Sequence, residues 1–141
     1  MVFLLDVNVL IALGDPYHVH HDRAQAWFHQ EKARAWATCP ITENGFLRIL
    51  GNPAYKDSPG SPSKLQSVLQ AICSAPGHQF WPDSVSLRDE KHYSTLPSFS
   101  HLTDFYLLAL AIRHQAKLAT FDRRIDPSLI PAGEKAYLVI P

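Results

Sequence analysis

At 141 residues the chain has the length of one domain, and 46% hydrophobic against 18% charged residues excludes a disordered tail. Thirteen Lys and Arg balance thirteen Asp and Glu, so no bulk basic field draws the chain to nucleic acid, and any such attraction has to be local. The longest apolar run, Phe105–Ile112, falls far short of the roughly 18 residues that span a bilayer, and Met1–Asp6 meets an acid with no positive leader segment, so a cytoplasmic protein with no membrane association is expected.

Val2–Leu5 is a continuous apolar run ending at Asp6, the pattern of a strand buried on both faces. Asp22–Lys32 reads as a helix, with Ala24, Trp27 and Phe28 on one side. A second strand, Ala35–Thr38, is stopped by Pro40. Thr42–Leu50 reads as a helix with Thr42 as its N-cap and Gly51-Asn52-Pro53 as its stop. Pro53–Pro62 is a loop excursion. Leu65, Val68, Leu69 and Ile72 recur at helical spacing, with Pro62 suited to the first turn. Gln79–Trp81 is a short strand stopped by Pro82, and a further helix runs from about Leu102 to His114. Leu118–Phe121 ends at Asp122, and Tyr137–Ile140 closes the chain. Apolar strands alternating with helices predict one α/β domain over residues 1–141, with a parallel sheet covered on both sides. Ligands of such sheets bind beyond the carboxyl ends of the strands, where two strands here end in an acid.

Cys39 and Cys73 are too few for a disulfide framework and lack zinc-site spacing. His18, His20, His21 and the other histidines apart from His101 show no metal spacing with nearby acids either, so structural zinc is not expected. The acids carry more information. Asp6, Glu43, Asp104 and Asp122 stand in apolar contexts where a solvated acid is out of place. No Lys or Arg lies within three residues of the first three, and only Asp122 has local cations, Arg123 and Arg124. Each also has a plainer reading: a cap for Asp6, a helix-dipole acid for Glu43 or Asp104, an arginine-paired turn for Asp122. If the four converge, two carboxylates about 4 Å apart repel by about 4 kcal/mol at an effective dielectric near 20, which a hard divalent ion would offset.

The segments LLDVNVLIAL (Leu4–Leu13), ITENGFLRIL (Ile41–Leu50) and LTDFYLLALAIRHQAKLATFD (Leu102–Asp122) resemble, in order, the three sequence blocks of PIN-domain ribonucleases, closest to the VapC toxins of bacterial toxin–antitoxin systems. FWPDSVSL (Phe80–Leu87) is similar to a further stretch of that family. The resemblance implies a three-layer α/β/α fold around a parallel sheet of about five strands. It implies Mg²⁺- or Mn²⁺-dependent cleavage of single-stranded RNA, a VapB-type antitoxin as partner, and a homodimer. The family's four acids fall on Asp6, Glu43, Asp104 and Asp122, and its flanking polar residues on Asn8 and Thr120.

On this reading Asp6 and Asp104 are the main metal ligands, and Glu43 and Asp122 complete the site directly or through water. A metal-activated water attacks phosphorus, and Asn8 and Thr120 orient ligands from behind. Arg123 and Arg124 are the first candidates for RNA phosphates, with Arg48 and Lys117 behind them. His101, three residues before Asp104, either shuttles protons or is a helix-start polar residue. Trp27, Trp36 and Trp81 are expected in the core or an interface. The competing readings are a haloacid-dehalogenase-type phosphatase with Asp6 as nucleophile, in which Asn8 stands where a general acid is needed, and a catalytically inactive PIN-like module that binds RNA or protein.

Overall fold

The computed structural model describes residues 1–30 and 35–141. Within them five parallel strands form one sheet in the order β3-β2-β1-β4-β5. They are β1 Val2–Leu5, β2 Ala35–Thr38, β3 His78–Phe80, β4 Lys117–Thr120 and β5 Tyr137–Val139. Five α-helices accompany them among the described residues: α1 Val7–Gly14, α2 His21–Gln30, α3 Pro40–Leu50, α4 Pro62–Cys73 and α5 Leu102–Arg113. The alternation of side chains along a strand divides the core. Phe3, Leu5, Trp36 and Ala119 pack with α1 to α4 on one face, and Leu4, Ala37 and Leu118 pack with α5 on the other. The expected three-layer α/β/α arrangement is therefore the observed one.

Apolar character around all of α5 has a physical cause. One side lies on the sheet, while Trp81, Val85, Ile125 and Ile130 cover the other, so Phe105 and Leu107–Ala111 are all buried. The tryptophans are core residues, 4–8% exposed. Trp27 meets Phe3 edge-on and Trp81 stacks on His114 with ring centroids 3.8 Å apart.

The structure differs from the sequence reading at several points. Helix α1 was not expected. Every residue from Val9 to Leu13 is buried, so the helix has no polar face to reveal its period. Asp6 starts it: its Oδ1 accepts from Val7 N at 2.7 Å, and its carbonyl accepts from the amides of Val9 and Leu10. Thr42 is not an N-cap. Helix α3 begins at Pro40, which suits a first turn, and Thr42 reaches back from inside it to accept from Cys39 N. Strands β3 and β4 each begin and end one residue earlier than expected, while α4 begins at Pro62, in line with the first-turn place expected for that proline. The last residues expected in α2, Glu31 and Lys32, lie outside the described residues.

The topology creates the crevice. The chain leaves central β1 outward through β2 and β3, then returns to β4 and β5 on the other side of β1. Strand order reverses between β1 and β4, and ligand crevices form at the carboxyl ends of such a pair. Helix α3 closes tightly over α1 at this end: a Cβ on Gly45 would lie 2.7 Å from Val7 Cγ2. A side chain larger than hydrogen at position 45 would push the two helices apart.

Candidate metal centre

Asp6 leaves the end of β1 and is 4% exposed. Its Oδ2 accepts from Thr120 Oγ1 at 2.7 Å and from Asn8 Nδ2 at 3.4 Å. The groups that hydrogen-bond the carboxylate are thus all neutral, and among the described residues it has no ion-pair partner. Burial, the largest influence, raises its pKa to about 6; the Thr120 hydrogen bond opposes this, and the charges of Asp104 and Asp122 reinforce it.

Asp104 sits in the first turn of α5. Burial and the charge of Asp122 push its carboxyl up, while His101 pulls it back. His101 Nδ1 lies 3.9 Å from Asp104 Oδ2 and is buried with no hydrogen-bond partner among the described residues. Asp122 follows β4 by two residues and is already paired: Arg124 donates through Nε and a terminal nitrogen to its two carboxylate oxygens, each at 3.1 Å. That pairing holds its carboxyl below the usual range. The Tyr137 hydroxyl donates to the Asp122 carbonyl, fixing the turn against β5.

Thr120 and Asn8 tie these acids together. Thr120 Oγ1 donates to Asp6, accepts from Asp122 N at 3.0 Å, and accepts from Asn8 Nδ2 at 3.2 Å. Asn8 Oδ1 accepts from Phe121 N at 3.3 Å. One hydroxyl therefore sets the position of both strand-end acids, and one amide locks that hydroxyl in place.

Glu43 does not share this neighbourhood. Its Oε2 accepts from Thr38 Oγ1 at 2.6 Å, and its charge acts on Cys73 and His78. Thr38 shares its sheet face with Trp36, whereas Thr120 shares its face with Leu118. The Glu43 and Asp6 carboxylates thus approach the sheet from opposite sides. The structure brings together three of the four acids singled out in the sequence.

The cations also sort themselves. Arg124 is spent on Asp122, and Arg123 is exposed beside it. Lys117 begins β4, roughly 10 Å of strand away from its acid end. Arg48 gains in importance. It lines a groove of about 360 Å³ with Val7, Ile41, Asn44, Asp83 and Thr103, so the groove runs from the neighbours of Asp6 and Asp104 along α3. The sequence offered no sign of it, because its walls come from four separate segments. A larger cavity of about 540 Å³ lies away from the acids, between α5 and the segment around Tyr93.

The model of the PIN domain matches residues 3–127, which include every acid described above. The chain belongs to the PIN-domain family. Among PIN-domain proteins it is 43% identical over 137 residues to Ribonuclease VapC44 of Mycobacterium tuberculosis, covering 96% of each chain. To Ribonuclease VapC39 of the same organism it is 44% identical over 130 residues, 91% of this chain and 94% of that one. The crystal structure of M. tuberculosis VapC20, a sarcin-ricin-loop-cleaving toxin, superposes with a TM-score of 0.52 at 15% identity, covering 77% of this chain and 82% of that one. That likeness shows a shared fold. The chain is therefore a PIN-domain member of the VapC ribonucleases, and the phosphatase alternative is not favoured. Asn8, at the place where that chemistry wants an acid, is an amide engaged with Thr120 and Phe121.

Proposed function

We propose that this protein is the toxin of a VapBC-type pair, an endoribonuclease that hydrolyses phosphodiester bonds in single-stranded RNA with a divalent cation, Mg²⁺ or Mn²⁺. A small VapB-type antitoxin holds it in check, and it works as a cytoplasmic homodimer. Among the described residues no helix is long and apolar enough to cross a membrane. The observation that carries the reading is Asp6: a carboxylate 4% exposed, with neutral donors only and two further aspartates beside it.

The donor set fits a hard cation. Asp6, Asp104 and Asp122 offer carboxylate oxygens, and the ionised form of Asp6 lacks a counter-charge that such an ion would provide. When bound, the ion supplies charge compensation for the scissile phosphate and lowers the pKa of water. The protein does the rest. Thr120 and Asn8 hold the oxygens of Asp6 in one orientation. Arg124 keeps Asp122 ionised and aimed. His101 stands beside Asp104 with its Nδ1 turned toward that carboxylate, placed to pass a proton at the edge of the site. Arg48, in the groove along α3, meets the phosphates of the flanking strand.

Mapping cut sites on total RNA after induction of wild type and Asp6→Asn tests the proposal, together with cleavage by the purified protein with and without EDTA. Discrete cuts that vanish with Asp6→Asn and with EDTA are expected. Undiminished cleavage in either case would sink it, and release of phosphate from a small aryl phosphate without RNA cleavage would revive the phosphatase.

A further inference from the structure

On the other face of the sheet, Glu43 of α3, Cys73 of α4 and His78 of β3 bring a carboxylate oxygen, a thiol sulfur and an imidazole nitrogen within 4.8 Å of one another. Thr38 Oγ1 sits between them, 2.6 Å from Glu43 Oε2 and 2.8 Å from His78 Nε2. Its proton goes to Glu43, and the His78 ring meets the same hydroxyl as donor or acceptor according to its tautomer. The three donors come from three elements and are half-buried, so a solvated ion can reach them.

We propose that Glu43, Cys73 and His78 form a second metal site, selective for Zn²⁺ and separate from the aspartate centre. The donor chemistry decides the ion. Sulfur and imidazole are poor ligands for Mg²⁺ and good ones for zinc. Tetrahedral zinc, at about 2.0–2.3 Å from each ligand, sets its ligands roughly 3.3–3.8 Å apart. The donors need to close by on the order of an ångström, and the cation then replaces the Thr38 hydroxyl as their common partner. Burial already holds His78 below the usual imidazole range, in the neutral form that ligates. Water completes the fourth position. The ion would pin the end of α4 and the start of β3 to the first turn of α3, the helix that also walls the Arg48 groove. This explains why spacing concealed the site: Cys73 and His78 flank one turn, while Glu43 lies thirty residues earlier.

The test uses the full chain, freed of metal by a chelator and then titrated with Zn²⁺ and with Co²⁺. One zinc per chain is expected at low micromolar ion, with a thiolate-to-cobalt charge-transfer band when Co²⁺ takes its place. Cys73→Ser should abolish the band. Cys73→Ser and His78→Gln should each weaken binding by more than the roughly 10–100-fold typical of losing an outer partner. Asp6→Asn should keep both zinc and band. His78→Gln keeps the test decisive should the cysteine variant fold poorly. Absence of the band in wild type, its survival in Cys73→Ser, or zinc that disappears with Asp6→Asn rather than His78→Gln would each overturn the assignment. None of these readouts depends on RNA cleavage, so the proposal stands or falls apart from the nuclease.

Discussion

Two groups of side chains with metal-ligating chemistry flank the same sheet and are built on opposite principles. On the α5 face, three aspartates gather at the strand ends, and Asp6 is buried among neutral donors. On the α3 and α4 face, one carboxylate shares a hydroxyl with an imidazole and sits near a thiol. A set made only of hard oxygens suits an ion that keeps water and binds phosphate, whereas a mixed soft set suits an ion that stays put. The contrast predicts very unequal effects on RNA cleavage. Asp6→Asn and Asp104→Asn should lower kcat by more than about 100-fold, beyond the range for outer-sphere partners, while Glu43→Gln should stay within about tenfold. A single-turnover assay decides it, and equal losses for Asp6→Asn and Glu43→Gln would erase the distinction between the two faces.

Thr120 offers the next largest effect. Its hydroxyl holds both Asp6 and the Asp122 amide, so Thr120→Val should weaken Mn²⁺ binding roughly 10–100-fold, read by calorimetry, with little change at the zinc site. Proton competition follows. Asp6 has to lose its proton before it can hold an ion, and its pKa is raised to about 6. Mn²⁺ affinity should be level above pH 7 and fall by up to about tenfold per unit below 6. The upward shift of Asp104 adds to the slope, whereas Asp122, held low by Arg124, stays ionised throughout. A flat affinity between pH 7 and 5 would mean that Asp6 is not a ligand.

How much of this contrast the sequence displays depends on what each feature needs. Strand ends were legible, because Val2–Leu5 and the run ending at Asp122 are short apolar segments closed by an acid. Two of the acids were placed by that fact alone, and Asp104 by its position at the start of a long apolar helix. Helix α1 was hidden, since a segment buried on every side carries no period. The direction of Glu43 was hidden too. It depends on the rotation of α3, which is set by a start at Pro40 rather than Thr42 and by the contact of Gly45 with Val7. A helix wheel drawn from sequence gives relative faces, and only packing says which one meets the sheet.

The burial of Asp6 also has a consequence for the metal-free protein. Its folded pKa of about 6 lies above the ordinary 3.8, so the folded state prefers the protonated acid. The stability this contributes is fully present below the ordinary value and lost as pH rises through about 6. A two-unit shift corresponds to roughly 3 kcal/mol. Asp6→Asn should therefore stabilise the metal-free chain at pH 7.5 by about 1–2 kcal/mol, less than the full figure because the new amide faces Asn8. The gain should fade toward pH 4, as denaturant melts at the two pH values will show. A variant that is destabilised at pH 7.5 would mean that Asp6 is held by a cation after all.

The smallest expected effect separates the two arginines. Arg124 lies next to Asp122 in sequence and reads as a phosphate contact, yet its guanidinium already donates twice to a carboxylate. A cation neutralised by its neighbour releases few counterions when RNA arrives. Arg48 lines the groove that leads away from the acids, where a flanking strand must pass. Each phosphate contact on a single strand contributes about 0.7 to the slope of log affinity against log salt. Arg48→Ala should lower that slope by about 0.7 in an Asp6→Asn background that binds without cutting. Arg124→Ala should change it by less, and its effect should appear instead as weaker Mn²⁺ binding through Asp122. The reverse ranking would place the RNA across the β4 turn rather than along α3.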